Sequence, residues 1–446
     1  MLDRFFKLQQ NGTNIRTELL AGVTTFLTMA YIIFLQPAIL STDFTGAPTG
    51  LDYGAVLLAT CVISGLTTIA MGIFSRYPIA LAPGMGENYI FVSVVMMLSA
   101  AGIPNAWQAA LGIVFIAGLV FLLLSVLRVR EAIVNAVSPS LRHGIAVGIG
   151  LFIAFIGLQK GGIIIAKPGS FVGLNNNLMT ADVLVFTVGL MVAGGLQARR
   201  TKGAILIGIA ASAAVALIFG KLEYKGIVGL PVIESSAILQ MDLRTAVTGV
   251  CLPFIFLFIF MDMFDTVGTL IGVAEQGGFM KDNKLPRASR VMIIDAAGTV
   301  AGACMGTSTI TSYIESSAGI AYGGRTGLTS ITVGILFLLS LLLSPFIGMI
   351  SGFAPVTACA LVIVGVFMMK SAEHIEWSNY SESIPAFLVA IGIPLTFSIA
   401  DGLAIGFISY PVINLISGNG RKINWLMYFV GAILLLYMLV IRFHSA

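Results

Sequence analysis

The sequence predicts an all-α polytopic membrane protein with about 14 transmembrane segments, arranged as two inverted units. The 446-residue chain is 58% hydrophobic and only 10% charged, whereas soluble domains carry about 25% charged residues. Apolar runs near the length that crosses a bilayer recur along the chain. Two of these runs, at corresponding places in the two halves, are interrupted by Gly, Pro, Ser and Thr, which is typical of transporter binding sites.

The N-terminal segment, residues 1–16, is too polar for the apolar core of a signal peptide, so we expect it to stay in the cytoplasm. Lys and Arg residues set the orientation of a membrane protein because cytoplasmic loops are enriched in them. Beyond the N-terminus they fall mainly on alternate loops, at Arg76, Arg128, Arg130, Arg199, Arg200, Lys202, Lys281, Lys284, Arg287 and Arg290. We therefore predict an integral protein of the cytoplasmic membrane, with these loops inside. Loop 221–245 and Lys160 with Lys167 are exceptions to the pattern.

The net charge of +4 is small, and the basic residues form no groove-like cluster. This distribution gives no electrostatic basis for nucleic-acid binding. The partners that we expect are membrane lipid and a small substrate.

The sequence indicates an internal repeat. Segment 78–98 is interrupted at residues 82–89, and segment 307–322 begins with a run of hydroxyl residues. Each is the third apolar element of its unit, and seven elements separate them, so the second unit is inverted relative to the first. We place the first repeat at 17–220, an extramembrane loop at 221–245 and the second repeat at 246–446; residues 383–443 hold two or three spans. Close helix packing also explains small residues, but not an acidic residue in both segments.

Five acidic residues lie inside apolar segments: Glu87, Asp262, Asp265, Asp295 and Glu315. Each costs about 2.5–3.5 kcal/mol to insert, and no Lys or Arg lies deep in the same segments. A carboxyl group in hydrocarbon favours its neutral, protonated form. These groups can therefore take up and release a proton, which is what proton coupling requires.

Asp262 and Asp265 are three residues apart, so on a helix both carboxylates face the same side. Two like charges that close do not both ionise in a low dielectric, and one is expected to hold a proton. A structural pair bonded to Ser or Thr of a neighbouring helix is the alternative. Asp295 lies about one turn inside its segment and either pairs with Arg290 or Arg287 or acts in function.

Glu315 follows a run of hydroxyl residues. If the helix begins near Thr309, Glu315 lies about a turn and a half inside it and can accept hydrogen bonds from the N–H groups of a neutral ligand. Asn88 offers an amide donor and acceptor at the other broken segment, while Glu87, its neighbour, faces elsewhere on the helix. Helix packing for Glu315 and helix-turn closure for Asn88 are the alternatives.

Four motifs carry a resemblance to a known family. They are residues 17–31 (TELLAGVTTFLTMAY), 82–86 (APGMG), 264–269 (FDTVGT) and 306–309 (GTST). With them, nearly the whole chain resembles the azaguanine-resistance (AzgA-like) branch of the nucleobase–cation symporters, which are permeases for hypoxanthine, guanine or adenine.

The resemblance implies a fold of two inverted seven-segment repeats with short extended stretches in the third and tenth segments. It implies a core domain that holds the substrate (mainly 17–127 and 246–349) and a gate domain (mainly 140–220 and 354–443) through which a homodimer forms. The resemblance also implies proton symport. It implies that the base is bound by Asn88, by Asp262 and Asp265 of the eighth segment, and by Glu315. Asp295 matches an acidic position in the ninth segment of the wider family.

The resulting hypothesis is proton-coupled symport of a purine base, with no metal and no cofactor other than the coupling proton. An apolar residue is usual in this family where Glu87 stands, so the preferred purine and the proton stoichiometry stay open. The first alternative is an anion transporter or channel on the same general fold, but an anion channel would need basic pore residues and the buried charges here are acidic. The second is a membrane-embedded enzyme, but the chain has no HExxH, serine-nucleophile motif or metal cluster. The predicted substrate-binding residues are Asn88, Asp262, Glu315, Tyr89, Phe264 and Thr309, and the predicted proton-coupling residues are Asp265, Asp262, Asp295 and Glu87.

Overall fold

The computed structural model describes residues 2–127, 137–167, 169–229, 234–280 and 285–444. The basic residues Arg128, Arg130, Lys281 and Lys284 of the predicted cytoplasmic loops lie outside these ranges. Within them, ten helices are long and apolar enough to cross a membrane, and further apolar helices are shorter. The chain is thus an integral membrane protein built mostly of helices, while the exact number of spans stays a prediction.

The helices of the first half are α1 (Leu2–Phe6), α2 (Ile15–Met29), α3 (Ile32–Leu40), α4 (Tyr53–Ala70), α5 (Met85–Ala100), α6 (Ala106–Leu127), α7 (Pro139–Lys160), α8 (Ala181–Ala198) and α9 (Ala204–Ile218). Those that follow are α10 (Leu243–Ala246), α11 (Leu252–Gln276), α12 (Ala288–Met305), α13 (Ser316–Tyr322), α14 (Gly327–Leu339), α15 (Ser344–Ser351), α16 (Ala354–Met369), α17 (Tyr380–Thr396), α18 (Ile399–Ile416) and α19 (Trp425–His444). The strands are β1 (Leu81–Pro83), β2 (Ile164–Lys167), β3 (Phe171–Leu174) and β4 (Ile310–Ser312).

The two broken segments meet in an antiparallel pair of extended stretches. Ala82 of β1 is opposite Thr311 of β4, and the pairing continues as Gly84 N–H donates to the carbonyl of Thr309 at 3.1 Å. Backbone groups that leave a helix inside a membrane must find partners in the protein. The two stretches satisfy each other, and α5 and α13 begin directly beyond them.

A threonine from the preceding helix closes the outer edge of each strand. The Thr68 hydroxyl of α4 donates to the carbonyl of Leu81 at 3.0 Å and accepts from its N–H at 2.9 Å. The Thr299 hydroxyl of α12 makes the same two bonds with Ile310, at 3.1 and 3.0 Å. The matching arrangement is what two related, oppositely oriented units would produce, although the seven-segment repeats themselves remain a prediction.

Helix α4 and the helical segment Met71–Ser75 that continues it approach α14 through glycines. A Cβ on Gly327 would lie 1.9 Å from the carbonyl oxygen of Gly72, and one on Gly334 would lie 2.5 Å from that of Gly65. Small residues allow such backbone contact, which takes the place of the hydrophobic driving force that is missing within lipid. This close packing fixes the helix that leads into β1.

Helix α2 is attached to the start of α14 by a buried acid. Glu18 accepts hydrogen bonds from the backbone N–H groups of Arg325 (2.8 Å), Thr326 (3.3 Å) and Thr329 (3.2 Å), and from the Thr329 hydroxyl (2.6 Å). The N–H groups at a helix start have no partner within the helix. Glu18 therefore adds to the N-cap residue Thr326, which accepts the Leu328 N–H, in capping α14, and it ties the two helices together.

The chain forms two compact units. The first contains residues 1–128 and 185–357, with β1, β4 and the helices around them. The second contains residues 129–184 and 358–446, and within it a Cβ on Gly365 would lie 2.5 Å from the carbonyl oxygen of Gly150. The C-terminal region left open by the sequence contains three helices, α17, α18 and α19. The assignment of core and gate domains to the predicted ranges stays a prediction.

Candidate functional site

The candidate site lies in the first unit, where α5 and α13 begin beyond the paired strands. The prediction that a helix begins near Thr309 is wrong: residues 310–312 form β4, and α13 begins at Ser316. Pairing with β1 holds this hydroxyl-rich run extended. Glu315 consequently lies at the N-cap position of α13 rather than a turn and a half inside a helix. A carboxylate at that position is favoured by the helix dipole.

Asn88 belongs to a closed ring of hydrogen bonds. Its side-chain amide donates to Oε1 of Gln36, Nε2 of Gln36 donates to the Ser308 hydroxyl at 3.2 Å, and that hydroxyl donates to Oδ1 of Asn88. Nε2 of Gln36 also donates to the Thr307 hydroxyl at 2.9 Å. All four side chains are buried. The ring fixes which way the Asn88 carboxamide points. The amide nitrogen also lies 4.0 Å from the Met85 sulfur, a weak acceptor that a ligand can replace, and the amide oxygen keeps a second lone pair.

The Thr266 hydroxyl is shared among oxygens of three elements. It lies 2.8 Å from Oδ2 of Asp295, 3.1 Å from the Thr311 hydroxyl and 3.4 Å from Oδ1 of Asp262. Thr299 lies on the far side, where its hydroxyl is 3.5 Å from Oδ2 of Asp262. Asp262 and Asp295 are both almost fully buried. The structure thus brings these two predicted carboxylates together around one threonine.

Asp265 faces the other predicted acids. Its carboxylate is hydrogen-bonded to Thr311 and interacts electrostatically with Glu87 and Glu315. The Tyr31 hydroxyl donates to Oε1 of Glu315 at 2.6 Å. Glu87 is 1% exposed and interacts with Asp295 as well, and its Oε1 finds no hydrogen-bond partner among the described residues. All five acids of the sequence hypothesis therefore belong to one cluster.

Three predicted substrate-binding residues, Thr309, Tyr89 and Phe264, remain to be located. The buried Thr309 hydroxyl has no hydrogen-bond partner within the described part of the chain, so it is available to a ligand. The Tyr89 ring is 1% exposed and stacks on Phe44, with centroids 6.2 Å apart. Phe264 lies on α11, but its side chain is outside what the structure describes.

Sequence reasoning missed the residues that hold the site in place. Gln36 and Tyr31 lie in the first apolar region, where the uncharged side chains do not stand out as the acids do. Thr266 adjoins Asp265 in the FDTVGT motif, and the sequence contains no further signal that distinguishes it from the other threonines. The available signal for Gln36 was an amide side chain inside an apolar run, since a buried amide needs hydrogen-bond partners.

The described side chains at this site combine hydrogen-bond donors and acceptors with a cluster of acids. The Glu315 carboxylate can accept hydrogen bonds, while the Thr309 hydroxyl and the Asn88 carboxamide can each donate and accept them. Carboxylates so close to one another cannot all carry a charge in a low dielectric.

The comparisons with known proteins identify the family. A model named Xan_ur_permease, described as a permease family, matches residues 16–405, and the chain belongs to this family. The chain is 40% identical to the adenine permease AdeQ of Escherichia coli, over 99% of this chain and 96% of that protein. It is 41% identical to the guanine/hypoxanthine permease PbuG of Bacillus subtilis, over 98% of this chain and 99% of that protein. The protein is therefore a membrane permease and not an enzyme.

A solved structure shows the same fold. The transmembrane domain of the cyanobacterial bicarbonate transporter BicA superposes with a TM-score of 0.68 at 17% identity, over 88% of this chain and 97% of that chain. At this identity the likeness concerns the fold alone.

Proposed function

We propose that this permease carries purine nucleobases (adenine, hypoxanthine or guanine) across the cytoplasmic membrane by proton symport. The purine substrate is supported by relatives at 40–41% identity over nearly their whole length that are named adenine and guanine/hypoxanthine permeases. The observation that carries the proton coupling is the cluster of five acids behind the two half-helix starts. An acid cluster suits a neutral base with N–H donors and repels an anion.

In this proposal Glu315 accepts an N–H of the purine, and Asn88, held by its ring, reads an edge that mixes donors and acceptors. The Thr309 hydroxyl adds a contact that is unused in the described structure. Asp262, beside the Thr266 hydroxyl, is the second acid that we assign to the substrate, and the aromatic residues Tyr89 and Phe264 are assigned to its ring face.

The coupling proton resides on the group formed by Asp265, Asp262, Asp295 and Glu87. Protonation lowers the repulsion among these carboxylates and prepares Glu315 to take the base from outside. Loss of the proton to the cytoplasm restores the repulsion and releases the base. The proton is the only coupling ion in this mechanism, and no cofactor takes part.

Uptake into proteoliposomes tests the proposal. We expect radiolabelled adenine or hypoxanthine to accumulate when the exterior is more acidic than the lumen, and only to equilibrate when the gradient is collapsed by a protonophore. Accumulation of equal extent without the gradient would contradict proton symport. Competition by unlabelled adenine, guanine, hypoxanthine, xanthine and uracil then defines the preferred base.

A substitution tests the binding role of Glu315. Glu315→Ala removes the acceptor, and we expect substrate binding to be lost while the protein stays folded. Glu223→Ala removes an acid from the exposed loop and serves as the matched control. Normal purine affinity in Glu315→Ala would contradict the proposed site.

Orientation and assembly complete the proposal. The N-terminus and the Lys- and Arg-rich loops face the cytoplasm, following the distribution of basic residues. A homodimer through the gate domain follows only from the family resemblance. Cross-linking in native membranes with single-cysteine variants at exposed positions of α17–α19 would test it.

A further inference from the structure

A polar cavity lies in the second unit and contains none of the acids of the candidate site. Its volume is about 400 Å³, and the described residues that line it are Val137, Ser138, Pro139, Tyr410, Lys422, Ile423 and Asn424. It is bounded by the start of α7, the later part of α18 and the segment that leads into α19. Nothing in the proposed transport mechanism uses it.

The floor of the cavity has only acceptors to offer. The Tyr410 hydroxyl donates to Oε1 of Glu382 at 2.8 Å, and the Ser138 hydroxyl donates to Oε2 of the same carboxylate. Each hydroxyl has a single hydrogen, which it gives to Glu382. The Tyr410 oxygen therefore presents lone pairs to the cavity, whereas the Ser138 oxygen, which also accepts the Leu141 N–H at 3.4 Å, keeps one. The Glu382 carboxylate behind them adds negative charge. This floor suits a small cation with N–H donors.

The rim of the cavity offers positive charge and hydrogen-bond donors. Lys422 contributes an ammonium group and is exposed. Asn424 uses its Oδ1 to accept from Leu426 N–H at 3.0 Å, which leaves its NH₂ group to donate. An ammonium and an amide donor together suit a phosphate oxygen.

Exposed aromatic residues place this cavity at the depth of lipid headgroups. Trp425 is 72% exposed next to Asn424, Tyr380 is 75% exposed two residues before Glu382, and Trp377 is 51% exposed nearby in sequence. Trp and Tyr are enriched at the membrane–water interface. A cavity at this depth meets headgroups more often than any soluble ligand.

We propose that the cavity binds the headgroup of an aminophospholipid, with the phosphate at Lys422 and Asn424 and the primary ammonium at Tyr410 and Ser138. Phosphatidylethanolamine has both groups, two carbons apart. Phosphatidylcholine has the same phosphate but no N–H donor, and phosphatidylglycerol has no cation. The site therefore distinguishes lipids by the ammonium rather than by net charge.

Lipid binding to the purified protein tests this proposal. With native mass spectrometry in detergent, we expect phosphatidylethanolamine to bind on the order of tenfold more tightly than phosphatidylcholine, the value of one good charged hydrogen bond. Lys422→Gln should weaken both lipids by a similar factor, because the phosphate is common to them. Tyr410→Phe should weaken only phosphatidylethanolamine and bring the ratio close to one.

The control is Arg421→Gln, which removes an exposed neighbouring cation outside the lining and should leave both affinities unchanged. Equal affinity of the unmodified protein for the two lipids would overturn the proposal, as would an unchanged ratio in a folded Tyr410→Phe variant. Water-soluble O-phosphoethanolamine distinguishes a lipid site from a site for a free phosphoester: millimolar concentrations should not displace the lipid, and displacement would contradict a lipid site.

Discussion

Gln36→Leu is the most informative change near the site, because it opens the ring that orients Asn88 without altering any acid. Leu has a volume similar to that of Gln but can neither donate nor accept. The substitution removes the bond from Asn88 to Gln36 and the bonds from Gln36 to Ser308 and Thr307. It leaves one buried Asn88 N–H without its acceptor.

The size of the effect follows from these bonds. Each neutral hydrogen bond contributes about 0.5–1.5 kcal/mol net, and a buried donor left without a partner costs about 1–3 kcal/mol. We expect Gln36→Leu to lower the free energy of unfolding by about 2–4 kcal/mol. The remaining Ser308 hydroxyl can donate to the Asn88 oxygen or accept from its NH₂ group, so the carboxamide is no longer held in one orientation. It then no longer distinguishes the N6 amino group of adenine from the O6 carbonyl of hypoxanthine. Selectivity that rests on one hydrogen bond amounts to about tenfold and should approach one.

Two measurements check this prediction. Thermal denaturation in detergent gives the stability, and competition between labelled adenine and unlabelled hypoxanthine in proteoliposomes gives the selectivity. Thr307→Val is the matched control: Thr307 accepts from Gln36 but is not part of the ring, so it should cost stability and keep the selectivity. A Gln36→Leu protein that discriminates between the two bases as the unmodified protein does would refute the orienting role of the ring.

Three further changes test other parts of the structure. Glu18→Gln should lower the free energy of unfolding by about 3 kcal/mol, because an NH₂ group would face backbone N–H donors, and hydrogen exchange should rise at the start of α14. Gly327→Ala should cost about 3–4 kcal/mol or prevent folding, since its Cβ would overlap the carbonyl of Gly72, as thermal denaturation will show. Thr266→Val should reduce gradient-driven uptake about tenfold by removing the hydroxyl that Asp295 shares with its neighbours.

Each of these changes has a control within the chain. Glu223→Gln alters an exposed acid and should leave stability unchanged, so an equal loss would show that Glu18 is not a cap. Gly348 has no atom within 4 Å of a built Cβ, and Gly348→Ala should be tolerated; equal damage from both alanines would rule out the close-contact explanation. Thr60 bonds only to the carbonyl of Val56 in its own helix, and Thr60→Val should keep uptake. Similar uptake in the two valine variants would argue against a special role for Thr266.

The acids of the site could be found from the sequence because charge inside an apolar run is costly and therefore conspicuous. The break in segment 78–98 was visible for a similar reason, since Pro83 and the adjacent glycines interrupt a helix. These local features predict the acids and the broken segments that the structure brings together, while their role in binding and coupling stays a prediction.

The position of Glu315 could not be found in this way. A run of Thr and Ser is compatible with both a helix start and a strand, and pairing with Leu81–Pro83, more than 200 residues earlier, decides between them. The role of Glu18 could not be predicted either, because an acid in the polar flank of the first segment is common. Its burial and its hydrogen bonds depend on the packing of α14 against α2, which the sequence does not reveal.

Proton movement driven by substrate tests the proposed coupling most directly. Proteoliposomes that contain a pH-sensitive dye start with equal pH on both sides, and adenine is added outside. Symport predicts that the lumen becomes more acidic as adenine enters, and that Glu315→Gln abolishes both signals. Entry of adenine at the normal rate with a constant luminal pH would contradict coupling through the buried carboxylates.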